Sequence, residues 1–224
     1  MRIHWVVFDL NGTLLDPGPI SRALPPPHDD EGTALRLLEA TVFQAMADTL
    51  AGRYRPFTDY LAAAVDRHLA LAGHRPGSEA ERAVAAAAAL PPFPEARHAL
   101  DVLAEAGLRI ATITNSPTAT AERALTEGGV RDRFEHVVGS DTCRAYKPAR
   151  VVYENGLRRM GVEASEVCMV AAHGWDLLGA HDAGMRTAWI SRGERVRLST
   201  VPEPDVTGTD LLDTAKAIVT ALDT

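Results

Sequence analysis

The chain opens on an apolar run, Trp5-Val6-Val7-Phe8, that stops at a carboxylate, Asp9. Asn11, Gly12 and Thr13 follow. β-Branched and aromatic residues ending at a polar, glycine-bearing turn predict a buried strand running into a loop. The pattern then breaks. Pro17 to Asp30 holds several prolines, Pro25-Pro26-Pro27 among them, and predicts a loop or linker. From about Thr33 to Arg53, the residues Leu35, Leu38, Val42, Met46 and Leu50 fall near helical spacing, with Gly52 as a plausible stop. Further helices are expected over Thr58 to Leu71 and Ser78 to Leu90, the second rich in alanines that favour a helix and close packing. Pro91, Pro92 and Pro94 close this helical block.

Beyond it, strand and helix patterns alternate. A helix over Glu95 to Ala106 precedes a strand over Leu108 to Thr114. A helix (Thr118 to Glu127) and a short strand near Phe134 to Val138 come next, then a helix from Ala149 to Met160. A strand (Val167 to Ala172), a helix (Trp175 to Ala183) and a strand (Arg186 to Ile190) follow. A short strand near Asp205 and a helix over Thr209 to Leu222 end the pattern. Such alternation predicts parallel strands with crossover helices. The expected fold class is α/β: a Rossmann-like parallel-sheet core, residues 1–16 and 95–224, with a helical cap inserted at 17–94 after the first strand. No internal repeat is visible.

Composition narrows the partners. The chain has 224 residues and is 46% hydrophobic, enough to bury a sizeable core. Its net charge of −7 argues against nucleic acid or an anionic membrane as the main partner. No apolar run is long enough to span a bilayer, and the N-terminus reads as a strand rather than a secretory signal. The two cysteines, Cys143 and Cys168, fit no zinc or Cys-x-x-Cys spacing. A reduced, cytoplasmic protein acting on a small molecule is the expectation.

Four polar stations sit where the predicted strands end or a helix begins. They are Asp9-Leu10-Asn11-Gly12-Thr13, Thr114-Asn115, Lys147-Pro148 with Tyr153 further on, and Ala171-Ala172-His173-Gly174-Trp175-Asp176. In an open α/β sheet, ligands bind outside the carboxyl ends of the strands. A carboxylate there can act as a nucleophile, or merely cap its turn. Lys147 can hold the Asp9 charge, and Thr13, Thr114 and Asn115 offer donors to an anion. No Gly-x-Ser-x-Gly elbow supports a serine hydrolase, and the histidines form no metal-ligand pattern.

The four stations in this order resemble the haloacid dehalogenase superfamily of hydrolases over nearly the whole predicted core. Phosphatases of that superfamily resemble Asp-x-Asp-Gly-Thr in the first station and carry a magnesium-binding acid in the fourth. Here those positions are Asn11 and Ala172. Instead, Lys147-Pro148 with Tyr153, the segment from Ala171 to Arg192, and Gly52 to Phe57 are similar to the L-2-haloacid dehalogenase branch. The resemblance implies that Asp9 displaces a group from the carbon next to a carboxylate. Water would then hydrolyse the aspartyl ester near Asp176 and Lys147, without a metal. It further implies substrate contacts from Leu10, Asn11, Thr114, Asn115, Phe57, Tyr153, His173 and Trp175, and a possible homodimer.

The chain departs from that branch in several places. Asn11 stands where the branch usually has Tyr, and Leu38 where a cap arginine usually receives the halide. Arg36 lies two residues away, about 200° around a helix. Ala171 and His173 replace a usual Ser and Asn, and His173 is either a hydrogen-bonding group, a base or a packed ring. Three readings stay open: a metal-independent hydrolase of small 2-substituted acids, with halide or a strained-ring leaving group; a magnesium-dependent phosphatase with atypical motifs; and a non-catalytic descendant.

Overall fold

The computed structural model describes residues 3–75 and 77–222. Six parallel strands form one sheet: β1 (Trp5–Phe8), β2 (Arg109–Thr114), β3 (His136–Gly139), β4 (Val167–Ala171), β5 (Arg186–Ile190) and β6 (Val206–Gly208). Their spatial order is β3-β2-β1-β4-β5-β6. The chain therefore builds outward from β1 to one side, then returns to the other. β1 lies between β2 and β4, at the switch point where open α/β sheets bind ligands.

Alternation of side chains sorts the two faces. Val6, Phe8, Ile110 and Val170 join a core with α5 (Ala96–Glu105), α6 (Thr118–Glu127) and α9 (Leu211–Leu222). Trp5, Val7, Ile113 and Met169 face the other way, against α7 (Arg150–Met160) and α8 (Gly174–Asp182). Strands buried on both faces read as continuous apolar runs, which is why β1 and β4 stand out in the sequence. Gly156 on α7 is required by this packing: a Cβ there would lie 2.3 Å from Ile113 Cδ1.

Between β1 and α5 come α1 (Gly18–Arg22), α2 (Glu31–Leu50), α3 (Phe57–Leu71) and α4 (Glu79–Ala87). The expectation of a continuous loop over Pro17 to Asp30 is corrected here. A short helix forms, because a proline is tolerated in a helix's first turn and the Asp16 carboxylate accepts the Gly18 N–H at 2.8 Å. Asp30 caps α2 by accepting from Thr33 N–H at 3.0 Å. The helix ends at Leu50 with Ala51 as its C-cap, and Gly52 follows with φ +70°, a left-handed conformation that glycine adopts freely. Smaller shifts of one to three residues occur at the ends of α4, β3, β6 and α9, where caps and 3-10 turns replace the periodic pattern.

Candidate active site

Asp9 leaves β1 at its carboxyl end and is buried, 4% exposed. Its N–H donates to the Val170 carbonyl on β4 at 3.0 Å, which fixes the backbone between the two strands. Lys147 Nζ donates to Asp9 Oδ1 at 2.9 Å, and the Thr13 hydroxyl donates to Oδ2 at 2.9 Å. Thr13 itself accepts from the Ala172 N–H at 3.0 Å, so the first and fourth stations are tied through one hydroxyl. Thr13 was expected to offer a donor to the substrate; its one proton is committed to Asp9 instead.

Lys147 is fully buried between two carboxylates. It also donates to Asp176 Oδ2 at 2.5 Å, while the Tyr153 hydroxyl donates to Asp176 Oδ1 at 2.7 Å. Gly179, one turn along α8 from Asp176, leaves room for this phenol: a Cβ there would meet Tyr153 Oη at 2.6 Å. The Lys147 N–H donates to Asn115 Oδ1 at 2.8 Å, which locks the amide and directs its nitrogen elsewhere. Asn115 Nδ2 is buried and has no partner among the described residues. An unpaired buried donor costs free energy on the order of 1–3 kcal/mol and is expected to meet a ligand.

The charges settle unequally. Burial alone would raise the Asp9 carboxyl, but the Lys147 ammonium and then His173 hold it below its ordinary value of 3.8. Burial raises Asp176 above that value, and the nearby Asp9 charge adds to the effect against the pull of Lys147. Burial opposes the charge on Lys147, yet Asp176 and Asp9 raise it above 10.5. Asp9 is thus the stable anion and Asp176 the better proton acceptor of the two. Burial keeps the Tyr153 hydroxyl protonated, as a donor to Asp176.

A cavity of about 480 Å³ opens onto Asp9 and Asn115, while Lys147, Asp176 and Thr13 are buried behind them and do not line it. Asp9, Asn11, Thr114, Asn115, Phe57, His173 and Trp175 line it, so the structure brings these seven expected residues together. Leu10 and Tyr153 are corrections: both are buried and neither lines the cavity. Leu10 points into the apolar core, and Tyr153 stands behind Asp176. Thr114 Oγ1 also accepts from the Ser116 N–H at 3.1 Å. His173 stacks on Trp175 with ring centres 5.3 Å apart, and its Nε2 donates to the Asn11 carbonyl at 3.1 Å. The same nitrogen lies 3.9 Å from Asp9 Oδ2. Gly12, at φ +81°, admits the ring; a Cβ there would be 3.0 Å from Nε2.

Leu38 forms part of the cavity wall, so no cation enters from that position. Arg36 does not replace it. It turns to Asp30 at 3.8 Å and donates to Thr33 Oγ1 at 2.6 Å. Phe93 and, after β5, Arg192, Glu194 and Arg195 also line the cavity; Arg192 ends the segment that resembles the dehalogenase branch, whereas Phe93, Glu194 and Arg195 carried no motif-like signal in the sequence. Among the described residues no group of three His, Cys, Asp or Glu side chains is arranged to hold a metal ion. The donor set beside Asp9 also fits Mg²⁺ poorly. Ala172 has no oxygen in its side chain, Asn11 offers only an amide, and Asp176 is taken by Lys147 and Tyr153.

A family model described as haloacid dehalogenase-like hydrolase matches residues 3–184. The chain belongs to the haloacid dehalogenase-like hydrolase family. Among relatives of this hydrolase, haloacetate dehalogenase H-2 from Moraxella sp. (strain B) is 30% identical, covering 85% of this chain and 87% of its own. (S)-2-haloacid dehalogenase 1 from Pseudomonas sp. (strain CBS-3) is also 30% identical, covering 85% of each chain. The solved structure of the L-2-haloacid dehalogenase RSc1362 superposes with a TM-score of 0.89 at 27% identity, over 100% of both chains.

Proposed function

We propose that this hydrolase removes a leaving group, halide first among them, from carbon 2 of a small carboxylic acid through an ester on Asp9. The observation that carries this reading is the Asp9 carboxylate itself: ionised, held by Lys147 and Thr13, and open to a cavity beside the unpartnered Asn115 amide. An Asp9 oxygen attacks carbon 2. The carbon–halogen bond breaks, and the halide leaves with its electron pair. Asn115 Nδ2 is placed to receive an anion as charge develops. Water then attacks the ester carbonyl of Asp9 and passes a proton toward Asp176, the more basic carboxylate. The C–O bond to carbon 2 stays intact, so the 2-hydroxy acid departs with the former Asp9 oxygen. Lys147 stabilises both carboxylates throughout. The first step needs no general acid, because halide leaves as a stable anion; in the second, the proton taken toward Asp176 returns to the departing alkoxide of the hydroxy acid.

The roles of His173, Trp175, Phe57 and Asn11 belong to the same proposal. Trp175 and Phe57 give apolar walls around the reacting carbon. His173, bonded to the Asn11 carbonyl, orients the loop after Asp9. We further take residues 17–94 as the cap, with α2 and Phe57 closing the cavity over the sheet. Two free cysteines accord with a cytoplasmic setting, and the acidic surface with the absence of a nucleic-acid partner. Phe43 and Leu50, 72% and 91% exposed on α2, support a second copy of the chain as partner. No helix among the described residues is long and apolar enough to cross a membrane.

The test is halide release from a panel of L-2-haloacids in excess EDTA. Release that persists in EDTA and vanishes in Asp9→Asn supports the proposal. Release that requires added Mg²⁺ would overturn it.

A further inference from the structure

Arg192 stands in the turn two residues beyond β5 and lines the cavity together with Phe93. Its guanidinium lies 3.7 Å over the Phe93 ring, and Nη2 donates to Glu95. Nη1 is buried and has no partner among the described residues. A guanidinium carries five donors in a rigid fork, so one edge can serve a protein carboxylate while the other is left with an unmet donor next to the cavity wall. Asn115 Nδ2 is the other unpartnered buried donor of the cavity lining, and it belongs to the Asp9 cluster. The cavity therefore presents two separate unsatisfied donor sites.

Its size agrees. A two- or three-carbon haloacid fills on the order of three to four water volumes, about 90–120 Å³. The cavity measures about 480 Å³. Glu31 and Glu39 put negative charge on the α2 side; Arg192 and Arg195 lie on the opposite wall with Glu194, and Arg192 is paired with Glu95. The feature of that wall that suits a second anion is the unmet Arg192 donor, not its net charge.

We propose that Arg192 is a specificity residue that binds a remote carboxylate, so that the preferred substrate is a 2-substituted dicarboxylic acid. The substrate class rests on the hydrolase reading above; the binding of a diacid does not. The test therefore starts with ligands that cannot react. Calorimetry would compare succinate and glutarate with butyrate on the whole protein. The expectation is that the better diacid binds at least about tenfold more tightly than butyrate. In Arg192→Gln that advantage falls below about threefold, while butyrate binding is kept; in Arg192→Lys part of it returns. Glu95→Gln, which loosens the same tie but leaves the cation, keeps the advantage. Diacids that bind no better than butyrate, or an advantage that survives Arg192→Gln, would overturn the proposal. Halide release from 2-chlorosuccinate and 2-chlorobutyrate is then measured separately. A diacid preference lost in Arg192→Gln, without halide release from either acid, would support Arg192 and sink the dehalogenase reading.

Discussion

At the scale of single residues, the site is an arrangement of one cation between two unlike carboxylates. Lys147 is fully buried, and removing it leaves Asp9 and Asp176 facing one another. Lys147→Met is expected to lower unfolding free energy by about 3–5 kcal/mol, read by urea titration, because breaking a buried pair strands its charges. Asn115→Ala is expected to reduce kcat for halide release by about 10²–10³, the usual cost of removing one preorganised donor to a developing anion. Unchanged kcat would remove Asn115 from the anion site. The residues that carry this chemistry were legible because each sits in a short polar motif at a strand end or just before or within the first turn of a helix. Roles were less legible. Thr13 and Tyr153 were expected at the substrate and instead hold Asp9 and Asp176, since sequence spacing does not say which side of a carboxylate a hydroxyl approaches.

At the scale of elements, α7 and α8 hold Tyr153 and Asp176 together through Gly179. A Cβ at that position would meet the Tyr153 ring and hydroxyl at 2.6 Å and Pro148 Cβ at 2.8 Å. Gly179→Ala is therefore expected to displace Tyr153 from Asp176, costing about 1–3 kcal/mol in stability as an overpacked site does. Its kcat should fall more than that of Tyr153→Phe, which loses only the hydroxyl; equal kinetics in the two variants would contradict this packing account. Element by element, the sheet was easy to read, since strands buried on both faces give bare apolar runs. The helix α1 was hidden by its prolines. The contacts of Arg192 were hidden for another reason: it ends a segment that resembles the dehalogenase branch, but it acts across the fold, on Phe93 and Glu95, which sequence spacing does not show.

At the scale of the whole molecule, pH should act through the buried cluster. Asp9 titrates below 3.8 in the fold, so its contribution to stability is complete above that value and is lost as pH falls through the lower one. Lys147 titrates above 10.5, so its contribution is complete below 10.5 and is lost as pH rises through the higher value. Asp176 runs opposite to Asp9. Its raised carboxyl favours folding at low pH, and that gain is lost as pH rises through its folded value. Activity needs Asp176 as an acceptor, so the acid limb of kcat is expected above pH 3.8 and should vanish with the activity that survives in Asp176→Asn. An acid limb below 3.8 would assign the proton to Asp9 instead. The parallel sheet with crossover helices followed from the alternation of patterns; the strand order that puts β1 at the switch point did not. The shape of the cavity did not, because it depends on how α2 and the segment after β5 meet over the sheet.

The central claim is that Asp9 forms the covalent bond. A single turnover in H₂¹⁸O, with enzyme in excess over an L-2-haloacid, tests it most directly. The account predicts a first-turnover hydroxy acid without ¹⁸O, and one ¹⁸O in the peptide that contains Asp9. Labelled hydroxy acid with unlabelled Asp9 would mean that water attacks carbon 2 directly, and would contradict it.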